Sequence, residues 1–396
     1  MKHRITRLAL SIISLALVSG FAPMTYQAQL LEIAKGFGTA VADYNADGHD
    51  DVFVTGHDQQ DHIWYWTANG YEEAEQKLEH VDRHDCDAAD VDRDGRMDFY
   101  CAVGAEKGQG IGLNELWMQQ ADGIFVKTAH HGAEDRYGSS RRPIFFDFNH
   151  DGWPDIYMTD EWHDRTDGHE SINRLFVSSQ RGQHFDEVQT IATGSIGWGC
   201  VAKGDIDGDG WDDLLICNDD GPSSLLLNNR AGDFKSITPP AVVGKHWIWA
   251  QLQDLNQDGQ LDLISLVDGT AVEVWLNSGN GQYFENRLFV GKLAQPGKSL
   301  TVGDFNHDGR PDIYVALADK SCKNTLHDQA DDVVFWGRKD GLWDKGQLEQ
   351  GYDGCGHEVQ TLDGDKVLLV NGTSKKPGPN YVLSWSQNQA AETADR

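Results

Sequence analysis

Six nine-residue segments share one pattern, D-x-[DN]-x-D-G-x-x-D, and any fold of this chain must give all six the same surroundings. They are DYNADGHDD from Asp43, DVDRDGRMD from Asp90, DFNHDGWPD from Asp147, DIDGDGWDD from Asp205, DLNQDGQLD from Asp254 and DFNHDGRPD from Asp304. Their starts lie 47 to 58 residues apart. At such a period each repeat is one supersecondary unit that buries its apolar surface only by stacking on its neighbours. Every segment runs straight into a short apolar strand, at 52–54, 99–103, 156–158, 214–217, 263–266 and 313–315. A second strand follows at 63–66, 116–118, 175–177, 225–227, 272–276 and 333–336. A glycine turn then leads to an aromatic residue, as in Gly70-Tyr71 and Gly123 to Phe125, which suits a hairpin. The repeat reads as four short antiparallel strands, one blade of a propeller.

A worn seventh copy occupies 358–362, 367–370 and 381–385, with Asp363-Gly364-Asp365 where the nonapeptide should be. That turn lacks the full acidic set and is expected to hold no metal. The copy also lacks a fourth strand, while Leu30-Leu31-Glu32-Ile33 stands ahead of the first blade with no blade of its own. The expected fold is therefore all-β, a seven-bladed β-propeller over 29–386 whose ring the N-terminal strand closes, so that no sheet edge is left open. Residues 387–396 form a polar tail.

Residues 1–28 read as an export signal with a short N-terminal segment. Lys2, Arg4 and Arg7 precede an apolar run over 8–18, then small residues at Ser19 and Gly20, and cleavage is expected between Gly20 and Ala28. The run is short for a bilayer span, and no later segment is apolar enough to cross one. The competing reading is an uncleaved anchor. The expected location is secreted, periplasmic or cell-surface, where disulfides persist. A formal charge of −30 makes nucleic acid and anionic membrane poor partners.

Much of that charge sits in the repeats, and its spacing suits a hard cation. Calcium takes several oxygen ligands in a flexible cage. The expected ligands are Asp43, Asn45, Asp47 and Asp51 in the first loop, then Asp90, Asp92, Asp94 and Asp98, Asp147, Asn149, Asp151 and Asp155. The last three loops supply Asp205, Asp207, Asp209 and Asp213, Asp254, Asn256, Asp258 and Asp262, and Asp304, Asn306, Asp308 and Asp312. About six Ca²⁺ ions are expected, with the loop glycine permitting the sharp turn. An EF-hand would need an acid at position twelve and helices on both sides. Position twelve here is Val54, Cys101, Met158, Ile216, Ser265 or Val315, the acid stands at position nine, and the flanks alternate like strands. Magnesium is disfavoured because it demands octahedral geometry and keeps its waters.

These nonapeptides, each followed by an apolar strand, resemble the FG-GAP/VCBS repeats of integrin α-subunit propellers and of many secreted bacterial proteins. The resemblance runs from about Leu30 to Trp385. It implies a calcium-binding propeller. It leaves function open, since adhesion modules, lectins and a few enzymes share the repeat.

Six cysteines in an exported chain suggest three disulfides. Cys86 and Cys101 lie four before and eleven after Asp90, and Cys200 and Cys217 five before and twelve after Asp205. Both pairs would face each other across a hairpin closed by the loop. Cys322 and Cys355 remain as a third pair.

A ligand would meet the mouth of the central channel opposite the loops. Residues about six to eight before each loop should converge there: Lys35, Phe37, His84, Arg141, Trp198, His246, Trp247, Lys298 and His357, with Trp162 and His163 on an overhanging rim segment. Aromatic and basic groups in one concave mouth suit sugar rings and anionic substituents. Trp64, Trp66, Trp117, Trp275, Trp336 and Trp385 lie on strands and read as packing between blades, while Trp153 and Trp211 belong to loops. No G-x-S-x-G, H-E-x-x-H or phosphate loop is present. The first reading is a non-catalytic module binding a glycan or an extracellular protein. The second is a lyase of acidic polysaccharide, with His84, His246 or His357 as base and Arg141 or Lys298 against the substrate carboxylate.

Overall fold

The computed structural model describes residues 11–14, 24–32, 36–56, 59–104, 112–135, 140–160, 172–190, 192, 200–217, 223–279, 283–317, 332–347, 358–370, 372–373, 376–377 and 380–387. Among them there is no helix. Blade 1 consists of Thr39–Ala42, Asp51–Val54, His62–Thr67 and Gly70–Glu73, antiparallel and in chain order from the axis outward. Blades 2 to 6 repeat this order, their innermost strands being Arg83–Ala89, Ser140–Phe146, Val201–Gly204, Trp247–Gln253 and Gly297–Gly303. Blade 7 is built from Glu358–Leu362, Lys366–Val370 and Asn380–Gln387, with Met24–Leu31 outside them.

The second strand of each blade explains why the blades must stack. Asp51–Val54, Asp98–Val103, Asp155–Asp160, Asp213–Ile216, Asp262–Val267 and Asp312–Leu317 are buried at every position. A strand covered on both faces reads as a continuous apolar run rather than an alternation. One core cluster lies between blades 1 and 2 (Phe53, Ile63, Phe99 and Phe125), and others join the remaining neighbours in turn. The last, with Val52 and Trp64 against Leu368 and Val382, joins blade 7 back to blade 1. Each fully buried large apolar side chain contributes about 1.5–3 kcal/mol. Trp64, Trp117, Trp275, Trp336 and Trp385 are buried in these seams.

The N-terminal strand starts earlier than the sequence suggests. All residues from Met24 to Leu31 pair antiparallel with Gln387 to Asn380. Its anchor is Tyr26, fully buried beside Trp385 and Phe305. The Gln29 side-chain amide exchanges hydrogen bonds with the backbone of Tyr71 at 2.8 and 2.9 Å, joining this strand to blade 1. Covering an eight-residue edge needs more chain than residues 30–33 provide. A further strand, Ser11–Ser14, pairs outside it, within the stretch read as an export signal. Ile33 lies outside the described residues.

Two side-chain devices tie neighbours together. First, an amide near the end of a third strand donates to the second residue of the preceding blade's loop. Gln119 bonds the Tyr44 carbonyl at 2.9 Å, Asn228 that of Phe148 at 2.8 Å and Asn277 that of Ile206 at 2.7 Å. Second, the worn turn of blade 7 carries its own cation. The Lys366 ammonium lies 2.6 Å from Asp363 and 3.1 Å from Asp365, 5.3 Å from the Trp66 ring. Asp363 in turn accepts from the Asp50 amide at 2.7 Å, and its own N–H donates to the Asp50 carboxylate at 2.6 Å. The Gly364 carbonyl accepts from the Asp304 amide at 2.9 Å, so one turn joins blades 6, 7 and 1.

Cys86 and Cys101 are direct cross-strand partners and are disulfide-bonded, as are Cys200 and Cys217. Cys322 and Cys355 lie outside the described residues.

Asn277→Leu should cost roughly 1–3 kcal/mol in urea unfolding, because it leaves the buried Ile206 carbonyl without a donor. Lys366→Met should cost roughly 1–2 kcal/mol by removing the cation between Asp363 and Asp365. An equal loss in calcium and in chelator is the outcome expected of a turn whose carboxylates are paired by Lys366.

Candidate metal centres

Each nonapeptide begins where an innermost strand ends and finishes on the first residue of the second strand, so the loop spans a hairpin on one face of its blade. All six adopt one conformation. The fourth residue is left-handed in each (Ala46 φ 57°, Arg93 58°, His150 56°, Gly208 76°, Gln257 62°, His307 56°), and so is the sixth, always glycine, at φ 79–89°. Five of the fourth residues are not glycine, and a left-handed L-residue costs about 1–2 kcal/mol. The same cost at the same place in repeated loops marks a conformation held for a reason.

Local bonds hold it. The first aspartate accepts from the amides of the fifth and sixth residues, at 3.0 and 2.8 Å for Asp43 and at 2.9 and 2.9 Å for Asp90. The fifth aspartate accepts from the seventh amide, as Asp47 does from His49 at 2.9 Å. The ninth aspartate is buried in every loop. Asp51 accepts from Tyr44 at 2.9 Å and from Trp66 on the third strand at 2.7 Å. Asp98, Asp155, Asp213 and Asp262 repeat both bonds, and Asp312 accepts from Gly337 at 2.7 Å. This residue is thus also a clamp from loop to third strand, a role its spacing did not reveal. The second residue, an unmarked x in the motif, is buried between blades in all six: Tyr44, Val91, Phe148, Ile206, Leu255 and Phe305.

Burial pushes the ninth-position carboxyls upward, against the pull of their backbone donors. Asp51, Asp98, Asp155, Asp213 and Asp312 reach about 7 and Asp262 about 6, helped by other carboxylates of the same loops. Asp92 and Asp207 are raised by burial and then by Asp90 and Asp209 respectively. Such a set favours a proton or a cation. Oxygens of Asp90, Asp92 and Asp98 lie within 4.8 Å of one another, as do those of Asp205, Asp207 and Asp209. One buried oxygen of Asp92 has no hydrogen-bond partner among the described residues. Donors that are all hard oxygens, several of them carboxylates, fit Ca²⁺. Where loops meet, Arg93 lies over the Trp153 ring at 5.3 Å and His150 stacks on Trp211 at 4.9 Å, so these two tryptophans sit between neighbouring loops.

The mouth residues are more dispersed. Lys35, Trp162, His163, Trp198 and His357 lie outside the described residues. His84 is buried edge-on to Phe37, its Nε2 3.6 Å from Asp82. Buried Arg141 donates to the Ser140 carbonyl at 3.0 Å. Trp247 is fully buried in core, Lys298 is exposed, and half-buried His246 lies 4.0 Å from Asp268. Pairing slips at the starts of these innermost strands, between Arg83 and Cys86, Ser140 and Arg142, Trp247 and Trp249, and Gly297 and Ser299. His84, Arg141 and Lys298 fall inside such irregularities, which re-aim side chains and which the sequence did not signal. A cavity of about 370 Å³ draws on residues further along the same strands, including Arg142, Lys203, Trp249, Gln251, Gln253 and Gln360. None of the six described mouth residues, Phe37, His84, Arg141, His246, Trp247 and Lys298, lines it.

No curated protein sequence matches the chain. Among solved structures, a lead-soaked crystal of BBS1N in complex with ARL6DN is similar at 10% identity, covering 91% of this chain and 94% of that one with a TM-score of 0.54. YCF48 bound to D1 peptide is similar at 7% identity, covering 96% and 100% with a TM-score of 0.55. At such identity the likeness concerns the fold alone. The model described as FG-GAP-like repeat matches residues 43–101, 90–158, 205–253 and 254–315. These matches take in more than half of the sequence and all six of its nonapeptide loops, and by them the chain belongs to the FG-GAP-like repeat family.

Proposed function

We propose that the chain is an exported, non-catalytic binding propeller, stiffened by about six Ca²⁺ ions and presenting its surface to a glycan or an extracellular protein. The observation that carries the calcium half is the one strained conformation shared by six acidic loops. Two disulfides suit an oxidising compartment. The binding half draws support from the fold: both similar structures hold a partner, ARL6DN in one and the D1 peptide in the other. The lyase reading gains no support from the described groups. His84 is packed under Phe37 and Arg141 is turned onto a neighbouring carbonyl.

Saturating calcium should raise Tm by about 5 °C or more over chelator, because each occupied site adds roughly 2–3 kcal/mol at a hundredfold excess over Kd. Equal Tm in both buffers would remove calcium from the account. The ninth aspartates set the pH dependence. Their folded pKa values, about 6 to 7, stand above the ordinary carboxyl value. In chelator their contribution to stability is complete below about pH 4 and is lost as pH rises through about 7. With calcium bound, stability should instead rise over that range as protons leave the ligands. Sequencing of the exported protein should place its first residue before Tyr26, whose ring blade 7 needs.

A further inference from the structure

We propose that the cavity in the channel binds a neutral, hydroxyl-rich ligand of mono- or disaccharide size, an assignment that rests on reading the chain as a binding module. Its volume of about 370 Å³ is at the small end of ligand sites, which run from roughly 300 to 1,000 Å³. Its lining is the useful part. Arg142 is the natural anchor for an anion, but its guanidinium is already held, 2.9 Å from Asp85 and 3.5 Å from Glu358. Those carboxylates are fixed by other inner strands. Asp85 accepts from the Thr39 amide at 3.0 Å, and Glu358 accepts from the Thr39 hydroxyl at 3.2 Å and the Gln360 amide at 2.6 Å. Lys203 donates to the Phe145 carbonyl and lies near Asp87. The cations on this wall are therefore spoken for, their charge offset by Asp85, Asp87 and Glu358 behind the lining.

The uncharged groups are left to recognise a ligand. Gln251 and Gln253 both line the cavity, half-buried, and their side chains make no hydrogen bond to any described residue. A primary amide offers donors and an acceptor together, which suits hydroxyls that must both give and accept. Trp249 adds an indole to the same wall, with Arg142 4.5 Å from its ring centre. Trp249 is itself buried, so the ring backs the wall and holds Arg142, and the two amides are the groups left to meet ligand hydroxyls.

Calorimetry should compare glucose, galactose, cellobiose and maltose with glucuronate and galacturonate on the calcium-loaded chain, its Gln251→Leu variant and its Gln253→Leu variant. At least one neutral sugar should bind below about 50 mM, the acids at least about tenfold more weakly, and one of the two variants should lose about tenfold at unchanged Tm. No neutral binding to that limit, equal binding of the acids, or binding untouched in both folded variants would overturn the site. A glycan array and capture of extracellular proteins run on the same three proteins separate the two claims. Binding there that both variants retain sinks the channel site and leaves the binding module standing. Absence of any binding sinks both.

Discussion

A buried carboxylate at the ninth position of each loop is the constraint on which the blades depend. A bare charge taken out of water costs several kcal/mol unless it is well partnered. Five of the six have at least two backbone N–H donors, one or more from the loop and one from the third strand. The same group therefore closes the loop and fixes the register of the sheet. It also gathers the first and fifth aspartates of the loop around the third residue, an aspartate in two loops and an asparagine in four, which is electrostatically unfavourable for the carboxylates unless a cation sits among them. The second loop residue, whose amide is the clamp's loop donor, is buried between blades and transmits that order sideways. Local acid geometry and global ring packing are one system.

Most of this architecture was legible, for a physical reason. Repetition multiplies weak local signals, and a strand buried on both faces leaves an unbroken apolar run that cannot be mistaken for a half-exposed one. The strands at 52–54 and 263–266 were readable on that ground. The cross-strand pairs Cys86–Cys101 and Cys200–Cys217 followed from symmetry about their loops. The third pair, Cys322 with Cys355, lies outside the described residues. The start of the N-terminal strand was misplaced because the anchor, Tyr26, lies in a stretch whose composition also suits an export signal.

The channel was less legible. Counting back a fixed number of residues assumes that every innermost strand keeps strict alternation. Four of them do not, and one slipped residue sends a side chain elsewhere. Arg141 and Arg142 show the consequence. The first donates to its neighbour's carbonyl, while the second reaches across to blades 2 and 7. Nothing in composition distinguishes them. The lysine beside the worn turn was equally silent in sequence. Only its distances to Asp363 and Asp365 show a side chain serving where the other loops gather carboxylates.

Anomalous diffraction from crystals grown with calcium tests the central claim most directly. The account predicts a peak inside each of the six nonapeptide loops, with oxygens at about 2.3–2.6 Å, and none at the turn held by Lys366. A map without peaks in those loops, or with its peaks only on the outer surface among waters, would contradict it.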